Sequence, residues 1–198
     1  MAKKLEFVES VKKTFHNNMS IKEDFNAKLK TELTKDLGLS SISAVPVIKA
    51  ITLNMGIGSN RENKAFVKEA IEELSAITGQ KPVLRKAKSS ISNFKFRKGQ
   101  LAGLSVTLRG DRMWDFYEKF VKITLPRFKD FQGVSKKSFD GGGNYNIGIK
   151  EQSVFPEIDP NKILYNKPLQ VTINTSAKND EFGFKLLKAL NMPFREGK

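Results

Sequence analysis

The 198 residues contain no cysteine, which excludes structural disulfides, thiolate metal sites and cysteine nucleophiles together. Histidine is nearly absent. The single one, His16, has no Cys, His or carboxylate cluster near it and reads as a surface or core-edge side chain, not a metal ligand. No stretch approaches the roughly 18 consecutive apolar residues that a membrane-spanning helix needs. The opening MAKKLEFVESVKK lacks the apolar core of a secretory signal, so an intracellular protein with no membrane partner is expected. There is no repeat of fixed period and no low-complexity segment. Acidic residues are in short supply: 35 Lys and Arg face 21 Asp and Glu, a formal net charge of +14. A surface that basic repels its own copies and attracts nucleic acid or anionic lipid. The shortage is sharpest between Glu73 and Asp111, where no Asp or Glu occurs while Lys81, Arg85, Lys86, Lys88, Lys95, Arg97, Lys98 and Arg109 are all basic.

With 39% hydrophobic and 28% charged residues the chain has enough apolar material for one sizeable core. Leu5, Val8, Val11 and Phe15 recur at helical spacing between Met1 and Asn18 and predict a short amphipathic helix. Ser20 and Glu23 form a capping box for a second helix, with Ile21, Phe25, Leu29 and Leu33 on one face and Gly38 as its stop. VIKAITLNMGIG predicts a strand. Lys64 to Thr78 predicts a helix with an apolar stripe at Phe66, Val67, Ala70, Ile71, Leu74 and Ile77, ended by Gly79. Leu104, Val106 and Leu108 alternate with polar residues, and Asp111 is the expected N-cap of a helix carrying Met113, Trp114, Phe116, Tyr117, Phe120 and Val121 up to Pro126. Further strands are expected over 145–151 and 169–175, and a last helix over 180–190. The partition is an N-terminal helical extension, 1–19, and a single α+β domain, 20–198.

Alternation on every strand predicts an antiparallel sheet covered by helices on one face and open on the other. The open face would hold Thr52, Asn54, Ser105, Thr107, Arg109, Asn146, Lys150, Gln170, Thr172 and Asn174. Such a face offers donors and acceptors at fixed spacing without a pocket, the manner in which RNA is read through shape, phosphates and 2′-hydroxyls. The alternative for the basic stretch is a solvated hairpin in a basic protein. Signals of catalysis are weak. Gly56-Ile57-Gly58 follows a strand, but Arg61 stands where a dinucleotide fingerprint has its third glycine. Gly141-Gly142-Gly143 lacks the GK[ST] of a phosphate loop and reads as a flexible bend, and Asp111 with Asp115 suits a helix start. A nucleotide-binding enzyme using the Gly56–Gly58 turn, or a free-standing RNA chaperone, are the competing classes.

The runs TLNMGIG (52–58), ITGQKPVLRKAKSSI (77–91), VTLRGDRMWDF (106–116), LPRFKDFQGVSKKSFDGGGNYNIGIKEQSVFPEID (125–159) and LLKALNMPF (186–194) closely resemble bacterial large-subunit ribosomal protein five, the family that binds 5S rRNA. The resemblance runs colinearly from Ile21 to Arg195. It implies a cytoplasmic, ribosomal location in the central protuberance of the large subunit, no catalysis and no cofactor. It implies as partners 5S rRNA, large-subunit rRNA, P-site tRNA, small-subunit protein thirteen and other central-protuberance proteins. Asn54, Gln80, Thr107 and Arg109 match the family's rRNA-binding positions. Lys86, Lys88, Ser89, Ser90, Asn93, Phe94 and Lys95 match a loop reaching P-site tRNA, here expected as a mobile arm over Arg85 to Lys98. Phe139, Asp140, Gly142 and Asn144 match the part that faces the small-subunit head. The chain departs from the family at Ser89, at Ser92-Asn93 and at Gly142, where an Arg is usual, and in a longer segment before Ile21.

Overall fold

The computed structural model describes residues 20–195 except Lys95, Asp130 and Leu164, and leaves aside the side chains of Ser59, Phe94 and Lys162. The helix expected between Met1 and Asn18, and His16 with it, lies outside the described residues. Five strands, β1 (Ile48–Gly56), β2 (Val83–Lys86), β3 (Leu101–Leu108), β4 (Tyr145–Ile149) and β5 (Leu169–Thr175), build one sheet in the order β2-β3-β1-β5-β4. Every pairing is antiparallel.

Alternation decides which face is which. Ile51, Leu53, Met55, Leu104, Val106, Leu108, Ile147, Ile149, Leu169, Val171 and Ile173 are all buried, and they form a single core with the helices. A β-bulge between Ile48 and Ala50 inserts one residue, so that Ile48 and Ile51 both reach the core while Lys49 stays exposed. Burying a side chain of this size contributes about 1.5–3 kcal/mol, which makes this row the main source of stability.

The first helix, α1, starts at Ser20 with the expected capping box: Ser20 Oγ accepts from the Glu23 amide, and the Glu23 carboxylate accepts from the Ser20 amide. It runs as Ile21–Asp24, a π turn over Phe25–Leu29, and Lys30–Asp36. Ile21, Phe25 and Leu33 are buried, and Phe25 lies against Trp114 with ring centroids 5.6 Å apart. The second, α2 (Lys64–Thr78), has the bounds expected from its stripe. Asn63 caps it by accepting from the amides of Ala65 and Phe66, and Gly79 ends it in the left-handed conformation, φ +64°.

The third helix, α3 (Gly110–Lys119), continues through a π turn, Phe120–Thr124, into a 3-10 turn, Leu125–Arg127, at Pro126. Asp111 is not its N-cap. Arg109 holds that position in extended backbone with no side-chain cap, and the Asp111 carboxylate instead pairs with Lys22 of α1. An ammonium on a neighbouring helix competes successfully for a carboxylate that local pattern alone assigns to the helix end. The last helix, α4 (Asp180–Ala189), is capped by Asn179.

One polar cluster is buried between α2 and the irregular segment before β5. Lys167 is wholly inaccessible, its Nζ lying 2.8 Å from Glu69 and 3.0 Å from Glu73. Its amide donates to Gln152 Oε1, whose own amide nitrogen donates to the Tyr165 carbonyl. Burial outweighs the attraction of Lys167 and lifts the Glu73 carboxyl above its ordinary range.

Candidate nucleic-acid interface

The face turned away from the helices is a grid. One row across the sheet is Thr107, Thr52, Thr172 and Asn146, and the next is Val83, Ser105, Asn54, Gln170 and Gly148. Neighbouring strands stand about 4.8 Å apart, so the first row sets hydroxyl and amide groups over roughly 14 Å. Thr172 Oγ1 donates to Asn146 Oδ1 at 2.7 Å, and the Asn174 amide donates to Thr52 Oγ1 at 3.3 Å. These bonds fix rotamers and leave the remaining donors and acceptors pointing outward. Asn54, Gln170, Lys150 and Arg109 are exposed, whereas Thr52, Thr107, Asn146, Thr172 and Asn174 are half-buried. Ser105 is a correction. It lies on this face but is buried, between Asn54 and Val83.

Asn54 and Thr107 therefore sit in adjacent rows on the same face, and Arg109 continues from Thr107 one step past β3. Gln80 lies off the grid, in the turn between α2 and β2. It follows α2, where the Thr78 hydroxyl accepts from its amide, and it precedes β2.

The segment from β2 to β3 is a hydrogen-bonded hairpin. Arg85 and Lys86 belong to β2 and pair with Gly103 and Leu101. Beyond them the Ala87 amide donates to the Gln100 carbonyl at 2.8 Å, and Ile91 and Phe96 exchange both backbone bonds. Ser90 Oγ accepts from the Lys98 amide, and Gln100 Oε1 from the Arg97 amide. The Arg61 guanidinium lies 4.9 Å over the Phe96 ring, joining this hairpin to the turn after β1. Lys88, Ser89, Ser90 and Asn93 sit exposed around its tip, while Lys95 and the Phe94 side chain are outside the described residues.

Gly56-Ile57-Gly58 does not open a helix. A 3-10 turn, Gly58–Glu62, intervenes before α2, so no helix N-terminus meets the glycines as a dinucleotide site requires. The Gly141–Gly143 bend is braced, not slack. Asp180 accepts from the amides of Gly141 and Gly143, and Asp140 accepts from Gly142, the Asn144 amide and the Asn144 side chain. Those bonds, led by the Asn144 side chain, hold the Asp140 carboxyl below the ordinary carboxylate range. Phe139 is half-buried, its ring 4.7 Å from Tyr145 and 6.2 Å from Phe194. Asn144 Oδ1 accepts from the Thr175 amide.

Charge completes the interface. Lys81, Arg85, Lys86, Lys88, Arg97, Lys98 and Arg109 are exposed, and among the described residues none of them is in an ion pair. Asp111, Glu157, Glu118, Glu69 and Glu73 pair elsewhere, with Lys22, Lys119, Lys122 and Lys167. A polar grid bordered by uncompensated cations suits a polyphosphate ligand. No group of three or more His, Cys, Asp or Glu among the described residues could hold a metal, and no described helix is long and apolar enough to cross a membrane.

Two family models match consecutive stretches of the chain: ribosomal protein L5 over residues 41–97, and the ribosomal L5P family C-terminus over residues 101–194. Proteins named large ribosomal subunit protein uL5 from Anaeromyxobacter sp. (strain Fw109-5), Anaeromyxobacter sp. (strain K) and Anaeromyxobacter dehalogenans are 48% identical over 176 residues, 89% of this chain and 98% of each relative. The chain belongs to the ribosomal protein L5 family. Membership makes it a structural, RNA-binding constituent of the cytoplasmic ribosome, in a family of structural proteins. The boundary between the two L5 models falls at the end of the hairpin, yet β2 and β3 pair across it within one sheet.

Sequence reasoning missed the Lys167 cluster and the Arg61–Phe96 contact. Glu69 and Glu73 do carry a signal, two carboxylates four residues apart beside the apolar stripe of α2. Nothing local marks Lys167 as their partner, because it lies 94 residues beyond Glu73.

Proposed function

We propose that the open sheet face holds 5S rRNA and that the chain helps fix it in the central protuberance of the large subunit. Residues 20–198 act in this as one RNA-binding domain, with 1–19 an extension of it. The carrying observation is the grid of Thr107, Thr52, Thr172 and Asn146 beside Asn54 and Gln170, bordered by exposed cations that are in no ion pair among the described residues. Asn54 and Thr107 supply hydrogen bonds to sugar and base edges, Arg109 neutralises phosphate, and Gln80 contributes from the β2 side. The hairpin tip with Lys86, Lys88, Ser89, Ser90, Asn93, Phe94 and Lys95 reaches P-site tRNA. The loop of Phe139, Asp140, Gly142 and Asn144 faces the small-subunit head and its protein thirteen. Large-subunit rRNA and other central-protuberance proteins complete the surroundings.

Filter binding of the protein to 5S rRNA, against an unrelated structured RNA of equal length, tests the central claim. Specific binding is expected, and equal affinity for the two would sink it. Arg109→Ala should weaken 5S rRNA binding by about tenfold, the value of one charge-assisted hydrogen bond, with its thermal melt unchanged.

A further inference from the structure

One recess borders the grid at its β4 end. It lies along β4, at the opposite end of the sheet from the hairpin, with a volume of about 240 Å³. Its walls include Phe128 and Phe131, half-buried rings with centroids 6.3 Å apart and planes inclined by 35°. Asn146 and Gly148 of β4 also line it. Asn146 Oδ1 accepts from Thr172, which leaves the amide NH₂ of Asn146 as a donor to an occupant. At Gly148 a side chain would meet nothing within 4 Å, so that part of the recess is open.

The size is below the roughly 300–1,000 Å³ of cofactor and drug-sized pockets and suits a single ring system. The surroundings are cationic: Arg127, Lys129 and Lys137 are exposed, and none is in an ion pair among the described residues. An aromatic slot, a hydrogen-bond donor at its side and free cations in the flanking chain are the ingredients of a base-stacking platform. A purely apolar peptide would leave the cations without counter-charge.

We propose that this recess takes one unstacked base of ribosomal RNA. The base lies against Phe128 and Phe131, the Asn146 amide donates to a carbonyl or ring nitrogen on its edge, and Arg127, Lys129 and Lys137 meet the flanking phosphates. The inference rests on the reading of the open face as an rRNA surface, because Asn146 belongs to both the grid and the recess.

Ultraviolet crosslinking followed by peptide mapping tests it, on the protein with 5S rRNA and on intact large subunits. Crosslinked nucleotides are expected on peptides spanning 125–148. Their presence with 5S rRNA alone, or only in the subunit, tells which RNA supplies the base. Gly148→Leu fills the open part of the recess without a backbone clash. It should abolish that crosslink and weaken binding of the same RNA about tenfold with an unchanged salt slope, since stacking releases no counterions. Crosslinks confined to β1 and β3, crosslinks undiminished by Gly148→Leu, or a protein segment captured in the recess would each overturn the proposal. If Arg109→Ala weakens binding and Gly148→Leu does not, the recess fails and the sheet face stands. If neither variant weakens binding, both readings fall.

Discussion

Among single residues, the run Gly141-Gly142-Gly143 separates three glycines that look alike in sequence. A side chain at Gly142 would meet only Asp140 Oδ1 at 3.5 Å and Asn144 Nδ2 at 3.8 Å, ordinary contacts. At Gly143, φ is +77° and a Cβ would stand 2.6 Å from the Ala177 Cβ and 2.8 Å from the Asn179 carbonyl. Gly143→Ala should therefore cost about 1–3 kcal/mol in denaturant melts, through strain and overpacking. Gly142→Arg should leave the melt unchanged while adding a cation to the loop. Asp140 adds a pH dependence. Its folded-state pKa lies below the unfolded value, so its contribution is complete above about pH 4 and is lost only as pH falls further, through the folded pKa. An NMR titration of the Gly142 and Asn144 amides should show them shifting on that acid limb, and not at all in Asp140→Asn.

For elements, the informative cases are those held by partners distant in sequence. Lys167 clamps the segment before β5 to α2, and removing one member of a buried pair leaves charge without compensation. Lys167→Met should lower stability by about 3 kcal/mol or more, and adding Glu73→Leu should recover part of that loss; urea melts of both variants measure it. The hairpin between β2 and β3 is oriented through Arg61 over Phe96. Arg61→Ala should expose Lys88, Arg97 and Lys98 to faster tryptic cleavage, with at most about 1 kcal/mol of global stability lost. Elements whose causes are local were legible in the sequence. α2 and β5 have their expected bounds because an Asn cap, a left-handed Gly and strict alternation lie within the segments themselves. The grid was legible for the same reason, since period two assigns Asn54 and Thr107 to one face without knowledge of pairing. The Asp111–Lys22 pair, the Arg61–Phe96 contact and the Lys167 cluster were not, because each depends on a partner that the fold brings from another part of the chain. β2 was legible as the β-type run that opens the basic stretch, although all four of its residues are exposed.

At the scale of the whole molecule, uneven charge governs behaviour. The pairs Lys22–Asp111, Lys122–Glu118 and Lys167 with Glu69 and Glu73 lie on or against the helices, while the exposed cations of the hairpin edge are in no ion pair among the described residues. Binding to ribosomal RNA should accordingly be steeply salt-dependent, with affinity falling on the order of a thousandfold between roughly 50 and 200 mM salt if about six phosphates are neutralised. A titration series at several ionic strengths gives the slope, and replacing Lys81 and Arg109 together should flatten it. The strand order β2-β3-β1-β5-β4 has a further consequence. It sets the hairpin edge and the β4 edge roughly 19 Å apart, four strand spacings, on a slab that cannot easily stretch. The molecule is in effect a caliper of fixed gauge. Once one jaw is seated on RNA, the other is held at a high effective concentration over whatever lies that distance away, and is withheld from anything nearer or farther.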